Sequence, residues 1–358
     1  MARTTSTVHA EVFGGVDTHR DTHHAAVVDA IGRHLADAAF PATGHGYRQL
    51  LDWLCRQGVV KAVGVEGTGS YGAALVRVLR AHALQVVEVD RPDRKARRRR
   101  GKSDPIDAYA AAEAVASGRA SGTPKTRDGR VESIRLLRVT RNGAVKARTQ
   151  AINQLRDMLV TAPAQLREQL RHLSTAALVD RCAHLRPAAD LADPAAAVKA
   201  AMRRLARRHQ ALSTEIRELD HELRTLVCDV APRLVELPGV GIEIAGQMLV
   251  TAGDNPERLR SEASFAHLCG VAPIPASSGR TDRHRLNRGG DRQANKALHL
   301  AVVTRLRCDA KTQRYVQRRQ REGLSKSDII RCLKRYIARE IYYRVTDPTL
   351  RPPASAAT

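Results

Sequence analysis

Between residues 11 and 90 the spacing of apolar positions changes several times, and each change marks an element. EVFGGVDTH, HHAAVVDA and RHLADAAFP are short runs of β-branched and small apolar residues that predict three strands, the second and third joined by a tight turn at Ile31 and Gly32. Over residues 45–57 the period lengthens, and Tyr47, Leu50, Leu51 and Leu54 recur at helical spacing. KAVGVE predicts a fourth strand, residues 70–82 a second helix, and LQVVEVD a fifth strand. A further helix is expected to begin near Asp104 and run through IDAYAAAEAVA.

The resulting order, βββαβαβα with short connections, is that of an α/β domain of the ribonuclease H and RuvC-like type, spanning residues 11–125. Residues 131–230 then become helical and charged. Met202, Leu205, Leu212, Ile216, Leu219, Leu223 and Leu226 form a heptad series interrupted by His209, a coiled-coil pattern. Two prolines in LRPAADLADPAAA would break a continuous rod, so an arm for oligomerisation and an intramolecular hairpin are both open, with the arm slightly favoured. Residues 234–345 predict a mainly α C-terminal domain opening on LPGVG, a helix-hairpin-helix-like element, and residues 346–358 a frayed tail.

Charge narrows the class of partner. Sixty Lys and Arg against 37 Asp and Glu give a net charge of +23, far more than solubility requires, and a polyanion is the expected ligand. No apolar run approaches the length of a membrane span and the N-terminus lacks a signal-peptide core, so nucleic acid is favoured over a membrane and the bacterial cytoplasm is the expected compartment. The six cysteines stand singly without a C-x-x-C pair, which argues against a zinc site or a disulfide framework. Aromatic residues are only 3% of the chain, so backbone contact must carry more of the binding than base stacking.

Four acids are the candidate chemistry. Asp17 ends the first strand and Glu66 the fourth, which puts both at one sheet edge if those strands are neighbours. Asp104 and Asp107, three apart at a helix start, share one helix face. Such an oxygen-rich set suits Mg²⁺, and two ions could assist attack and departure at a phosphate. Each acid also has a plain reading: Asp104 could be a helix N-cap ahead of Pro105 with Asp107 as its capping-box acid, Asp17 and Glu66 could be surface acids, and Asp29, Glu88 and Asp90 are rivals.

Taken together, GVDTHRDTH, GVEGTGSYG, KSDPIDA, LPGVG and the SSG segment resemble, in this order, the DEDD-type insertion-sequence transposases, which include Piv-like invertases and bridge-RNA-guided recombinases. The resemblance runs from about residue 12 to residue 345. It implies that Asp17, Glu66, Asp104 and Asp107 are metal-binding catalytic acids, and that the serine before glycine, Ser278 with Ser277 as fallback, attacks DNA to form a phosphoserine bond. On composition alone Ser-Ser-Gly is an ordinary loop, and Tyr315, Tyr336, Tyr342 and Tyr343 are rival nucleophiles. The resemblance further implies donor and target DNA, a non-coding guide RNA, and a homodimer or homotetramer with composite sites. Where the family more often has Lys or Arg, Gly, Asn, this chain reads Asn287-Arg288-Gly289-Gly290-Asp291, which leaves the roles of Asn287 and Asp291 open. A junction nuclease hydrolysing DNA and a non-catalytic nucleic-acid-binding protein are the alternatives.

Candidate phosphate contacts fall in three places. Arg91, Arg94, Lys95, Arg97, Arg98, Arg99, Arg100 and Lys102 form a basic run just before Asp104. Gly239 and Gly241 could let backbone N–H groups approach a phosphate, or serve a tight turn. Arg280, Arg283, Arg285 and Arg288 surround the serine segment.

Overall fold

The computed structural model describes residues 10–89, 103–280 and 284–347. Asp90, the basic run from Arg91 to Lys102, Arg283, and residues 348–358 of the expected tail lie outside the described residues. The chain divides into two compact units, one up to Asp128 together with Asn255–Arg258, the other Gly129–Asp254 together with everything from Leu259 onward.

In the first unit, β1 (Glu11–Thr18), β2 (Thr22–Asp29), β3 (His34–Pro41), β4 (Val59–Glu66) and β5 (Val86–Val89) form one sheet in the order β3-β2-β1-β4-β5. The first three strands are an antiparallel meander, and β4 and β5 run parallel to β1, as the ribonuclease H-like order requires. Alternation along the strands gives the sheet two different faces. Val12, Val16, Val63 and Val65 pack with Leu50 and Leu54 of α1 (Gly44–Gln57) and Leu75 and Leu79 of α2 (Ala73–Ala81). On the other face Ala62 and Val87 meet Val115 of α3 (Asp104–Ala116).

Two glycines decide how closely α3 approaches. A Cβ on Gly15 would lie 2.2 Å from the Ala108 carbonyl oxygen and from the Ala112 nitrogen, and one on Gly64 would lie 2.8 Å from the Ala111 carbonyl oxygen. No backbone can absorb such an overlap without moving. Gly15→Ala is therefore expected to cost about 3 kcal/mol or more by overpacking, read as a lowered melting temperature. Near-wild-type melting would mean that α3 can retreat.

In the second unit, α4 (Arg130–Thr161) and α7 (Pro194–Val230) lie antiparallel: Val131 and Ile134 share a core with Leu223 and Val227, and Ile152, Leu155 and Leu159 share one with Met202 and Ala206. Met202, Ile216, Leu219 and Leu223 of the heptad stripe are buried, and Leu205, Leu212 and Leu226 are half-buried. Within the chain the segment is a hairpin, and the break before Pro194 lets α7 fold back. Two short helices, α5 (Ala164–Leu170) and α6 (Thr175–Ala183), fill the end of the hairpin. Beyond it follow α8 (Pro232–Val235), α9 (Ile242–Ala252), α10 (Glu262–Leu268), a two-stranded ribbon of β6 (Ile274–Pro275) and β7 (His284–Arg285), and α11 (Arg292–Cys308), α12 (Ala310–Arg321) and α13 (Lys326–Thr346). Phe265, Met248, Leu298 and Ile337 are central to their common core. All six cysteines are free. Among the described residues no helix is long and apolar enough to cross a membrane.

Candidate metal centre and serine ribbon

Asp17 is the penultimate residue of β1, and the parallel register pairs the preceding Val16 with Val65 of β4, so Asp17 and Glu66 stand side by side at the carboxyl edge of the sheet. Their face follows from the glycines: Gly15 and Gly64 meet α3, and Asp17 and Glu66, two residues further along each strand, share that face. The Thr18 hydroxyl donates to the Glu66 carbonyl at 2.8 Å and ties the two strand ends together. Gly67 then takes φ +68°, which turns the chain away immediately after Glu66.

From the other side, α3 brings two more carboxylates. Ser103 occupies the N-cap, so Asp104 is not the cap and is the first helical residue, followed by Pro105; Asp107, one turn on, is buried. Asp17, His19 and Asp104 each offer a ligand atom within 4.8 Å of the others. Nε2 of His19 is 3.1 Å from Asp17 Oδ2 and 3.4 Å from Asp104 Oδ1. Asp107 is close enough for its charge to act on Asp17. Burial raises the Asp17 carboxyl above the ordinary carboxylate range; His19 opposes this, while Asp107 and Asp104 add to it. A buried acid among other acids is a place where a cation is favourable. Asp17 and Asp104 are hard oxygen donors that suit Mg²⁺, with the His19 imidazole a softer addition, whereas Glu66 and Asp107 are not among the ligand atoms that meet within 4.8 Å.

His19 is the residue that sequence reasoning missed. Its signal was present in GVDTH, a histidine two positions after the strand-end acid, but only folding shows that its ring reaches both Asp17 and Asp104. His24 is a second omission. It pairs across the strands with Asp17 and donates to or accepts from Asp37 at 2.7 Å, and Asp37 in turn accepts from the Tyr109 hydroxyl of α3 at 3.1 Å. That chain buttresses the α3 face beside the acids.

The rival acids go elsewhere. Asp29 lies at the opposite sheet edge, where its carboxylate accepts from the Ile31 and Arg33 backbone and pairs with the Arg33 guanidinium. Glu88 alternates onto the α1 and α2 face, accepts from the Thr68 hydroxyl at 2.6 Å and feels the charge of Arg258.

In the second unit, Ser277, Ser278 and Arg280 are exposed in the connection between β6 and β7, and Gly279 has φ +57°. Arg285 and Arg288 are exposed as well. Asp291 has a structural role: it caps α11 through the Gln293 and Ala294 amides and accepts from the Thr251 hydroxyl at 2.8 Å. Asn287 closes a local turn by accepting from the Gly289 amide. Gly239, at φ +73°, is pressed against α11, where a Cβ would sit 2.8 Å from the Ala301 carbonyl oxygen. Gly241 is open at the start of α9, yet Glu243 in the first turn already pairs with Arg138 and Arg141. Of the tyrosines, Tyr315 is packed edge-on against Tyr336 and its hydroxyl is pushed up by burial, Tyr342 donates to the Leu259 carbonyl, and Tyr336 and Tyr343 are exposed.

Residues 14–162 match a model of DEDD-type IS110 transposases, and residues 231–317 match one of the transposase IS116/IS110/IS902 family. The chain is 27% identical to the 42 kDa protein of insertion element IS900 of Mycobacterium paratuberculosis over 42% of its own length and 39% of that protein's. It is 30% identical to the 43.6 kDa protein of IS110 of Streptomyces coelicolor over 34% of the chain and 30% of the relative. Against the 44.8 kDa protein of IS116 of Streptomyces clavuligerus it is 25% identical over 99% of both. With a ribonuclease H-like sheet carrying its acids at one edge and a long helical remainder, the chain belongs to the IS110/IS116/IS902 family of DEDD-type transposases.

Proposed function

We propose that this protein is a transposase that cuts and rejoins DNA, with Asp17, Glu66, Asp104 and Asp107 as its metal-binding acids and Ser278 as its nucleophile. The observation that carries the reading is the meeting of Asp17, His19 and Asp104 within 4.8 Å on the α3 face of the sheet. Mg²⁺ bound by these carboxylates would neutralise charge on the phosphate and on the departing oxygen. The chain's own groups do the rest. Asp107 and Asp104 keep the centre anionic, His19 orients the Asp17 and Asp104 carboxylates, and the arginines near Ser278 hold the phosphate in place.

In the cutting step Ser278 Oγ bonds to phosphorus, loses its proton to a nearby base, and the nucleoside oxygen on the far side of phosphorus leaves with the electron pair. One phosphate ester is exchanged for another of similar energy, and the reverse reaction with a different strand end rejoins the DNA. Hydrolysis would lose that energy. Ser278 and the acids lie in different units, and a homodimer or homotetramer would let the serine of one copy meet the acids of another. A guide RNA would select the sites by base pairing, and the basic run from Arg91 to Lys102, just before Asp104 in the chain, would supply phosphate contacts.

The test is a denaturing gel of the purified protein, with the nucleic acid that accompanies it, mixed with DNA. A covalent protein–DNA adduct is expected with Mg²⁺, absent with EDTA, and absent after prior RNase treatment. An adduct indifferent to RNase would remove the guide, and one indifferent to EDTA would remove the metal.

A further inference from the structure

The second unit contains a cavity of about 700 Å³ at the root of the serine ribbon, within the range of sites that bind small molecules. Its walls are of two kinds. Val271, Ala272, Pro273, Leu286 and Tyr336 form an apolar part, and six Lys and Arg against two Asp form a cationic part. Asp291 is committed to the cap of α11, Asp328 to Arg331 at 2.7 Å, and Arg335 to Glu262 at 2.6 Å, so the positive charge left to a ligand is that of Arg285, Arg288, Arg292 and Lys334.

Lys334 is more buried than Arg285, Arg288 and Arg292, the other cations of this wall that carry no ion pair among the described residues. Its ammonium is half-buried and donates to the neutral Asn295 Oδ1 at 2.8 Å, and among the described residues it pairs with no carboxylate. Burial and the nearby Arg331 charge both lower its pKa, which is the condition an incoming anion relieves. Arg292 adds a positive charge in the first turn of α11, where the helix dipole opposes it, so its placement costs stability and calls for another reason. Tyr336 is 45% exposed and its ring is held edge-on by Tyr315 at 5.6 Å, so an aromatic surface is fixed in place before any ligand arrives.

We propose that this cavity holds one unpaired nucleotide of the DNA strand being cut, with its phosphate against Lys334 and the neighbouring arginines and its base against Tyr336 and the apolar wall. The inference rests on the reading of Ser278 as a group that acts on DNA. Pro275 pairs with His284 at the cavity, and Ser278 stands only three residues further on, a reach of about 10 Å at most. That reach keeps the cavity and the serine within a few nucleotides of one another on the same strand. A nucleotide lodged here would draw its strand out of the stack and fix the register of the phosphate offered to the serine.

Binding of a short fluorescent oligo(dT), an oligo(rU) of equal length and an equally long duplex is measured by anisotropy in EDTA, on the full chain. Tyr336→Ala and Lys334→Gln are each expected to weaken oligo(dT) binding about tenfold, while Tyr336→Phe keeps it and duplex binding changes less than about twofold. Arg288→Gln, at an exposed position, serves if Lys334→Gln does not fold. Equal losses for strand and duplex, no loss for oligo(dT), or a loss confined to oligo(rU) would each overturn the proposal. No chemical step is needed for this readout, so it is separate from Ser278 itself: a Ser278→Ala protein that keeps its Tyr336-dependent strand binding but cuts as before would sink the serine reading and leave the cavity standing.

Discussion

Ser278→Ala is expected to abolish the covalent DNA adduct and to slow strand cleavage by about a thousandfold or more, with the fold intact. The stability side is local: Ser278 is exposed in the ribbon connection, and loss of one exposed hydroxyl changes stability by about 0.5 kcal/mol or less. The activity side is chemical, because no other atom of an alanine can take the phosphorus, and nucleophile deletions in covalent catalysis remove nearly all of the enzyme's advantage. Ser277→Ala is the matched control and should retain the adduct. Denaturing gels and single-turnover cleavage rates read both variants. Cleavage at an unchanged rate in Ser278→Ala would mean that DNA is hydrolysed and that the ribbon serves binding alone.

Asp17→Asn is expected to move stability and activity in opposite directions. In the folded protein the Asp17 carboxyl is held above its ordinary value of 3.8, mainly by burial. Below pH 3.8 both folded and unfolded chains carry the proton and the group contributes nothing. As pH rises past that value the unfolded chain gives up its proton first, so the unfolded state is favoured increasingly until the folded carboxyl also ionises, and the penalty then stays constant. Asparagine removes the penalty while keeping the shape. In EDTA near neutral pH the variant should therefore melt above wild type, and the difference should vanish below pH 3.8. With Mg²⁺ the order reverses: wild type gains stability by mass action, the variant gains much less, and cleavage falls about a thousandfold or more. A variant that melts lower in EDTA, or that still cuts DNA, would show that Asp17 is a structural acid.

Much of the first unit could be read from apolar spacing. Five strands and three helices lie where the pattern put them, and the small discrepancy at α2 has a local cause. Residues 70–72 form turns, with the Ser70 amide bonded to the Gly67 carbonyl, so the helix begins at Ala73 rather than Ser70. The acids at strand ends and at the start of α3 were visible for the same reason, because period and caps are properties of neighbouring residues. What could not be read was any relation between distant ones. Whether Asp104 would be spent as an N-cap depended on which residue took that position, and Ser103 takes it. That α7 folds back on α4 depended on the break before Pro194.

Local chemistry therefore determined the elements of this protein, its basic character and the chain positions of its candidate acids. Only tertiary structure decided that Asp17, His19 and Asp104 converge, that Glu88 and Asp29 do not, and that a cationic cavity opens behind the serine ribbon. The physical reason is that remote side chains meet through strand register and helix docking. Here both depend on Gly15 and Gly64 admitting α3 to within backbone contact of the sheet, a close approach that apolar spacing along one segment does not encode.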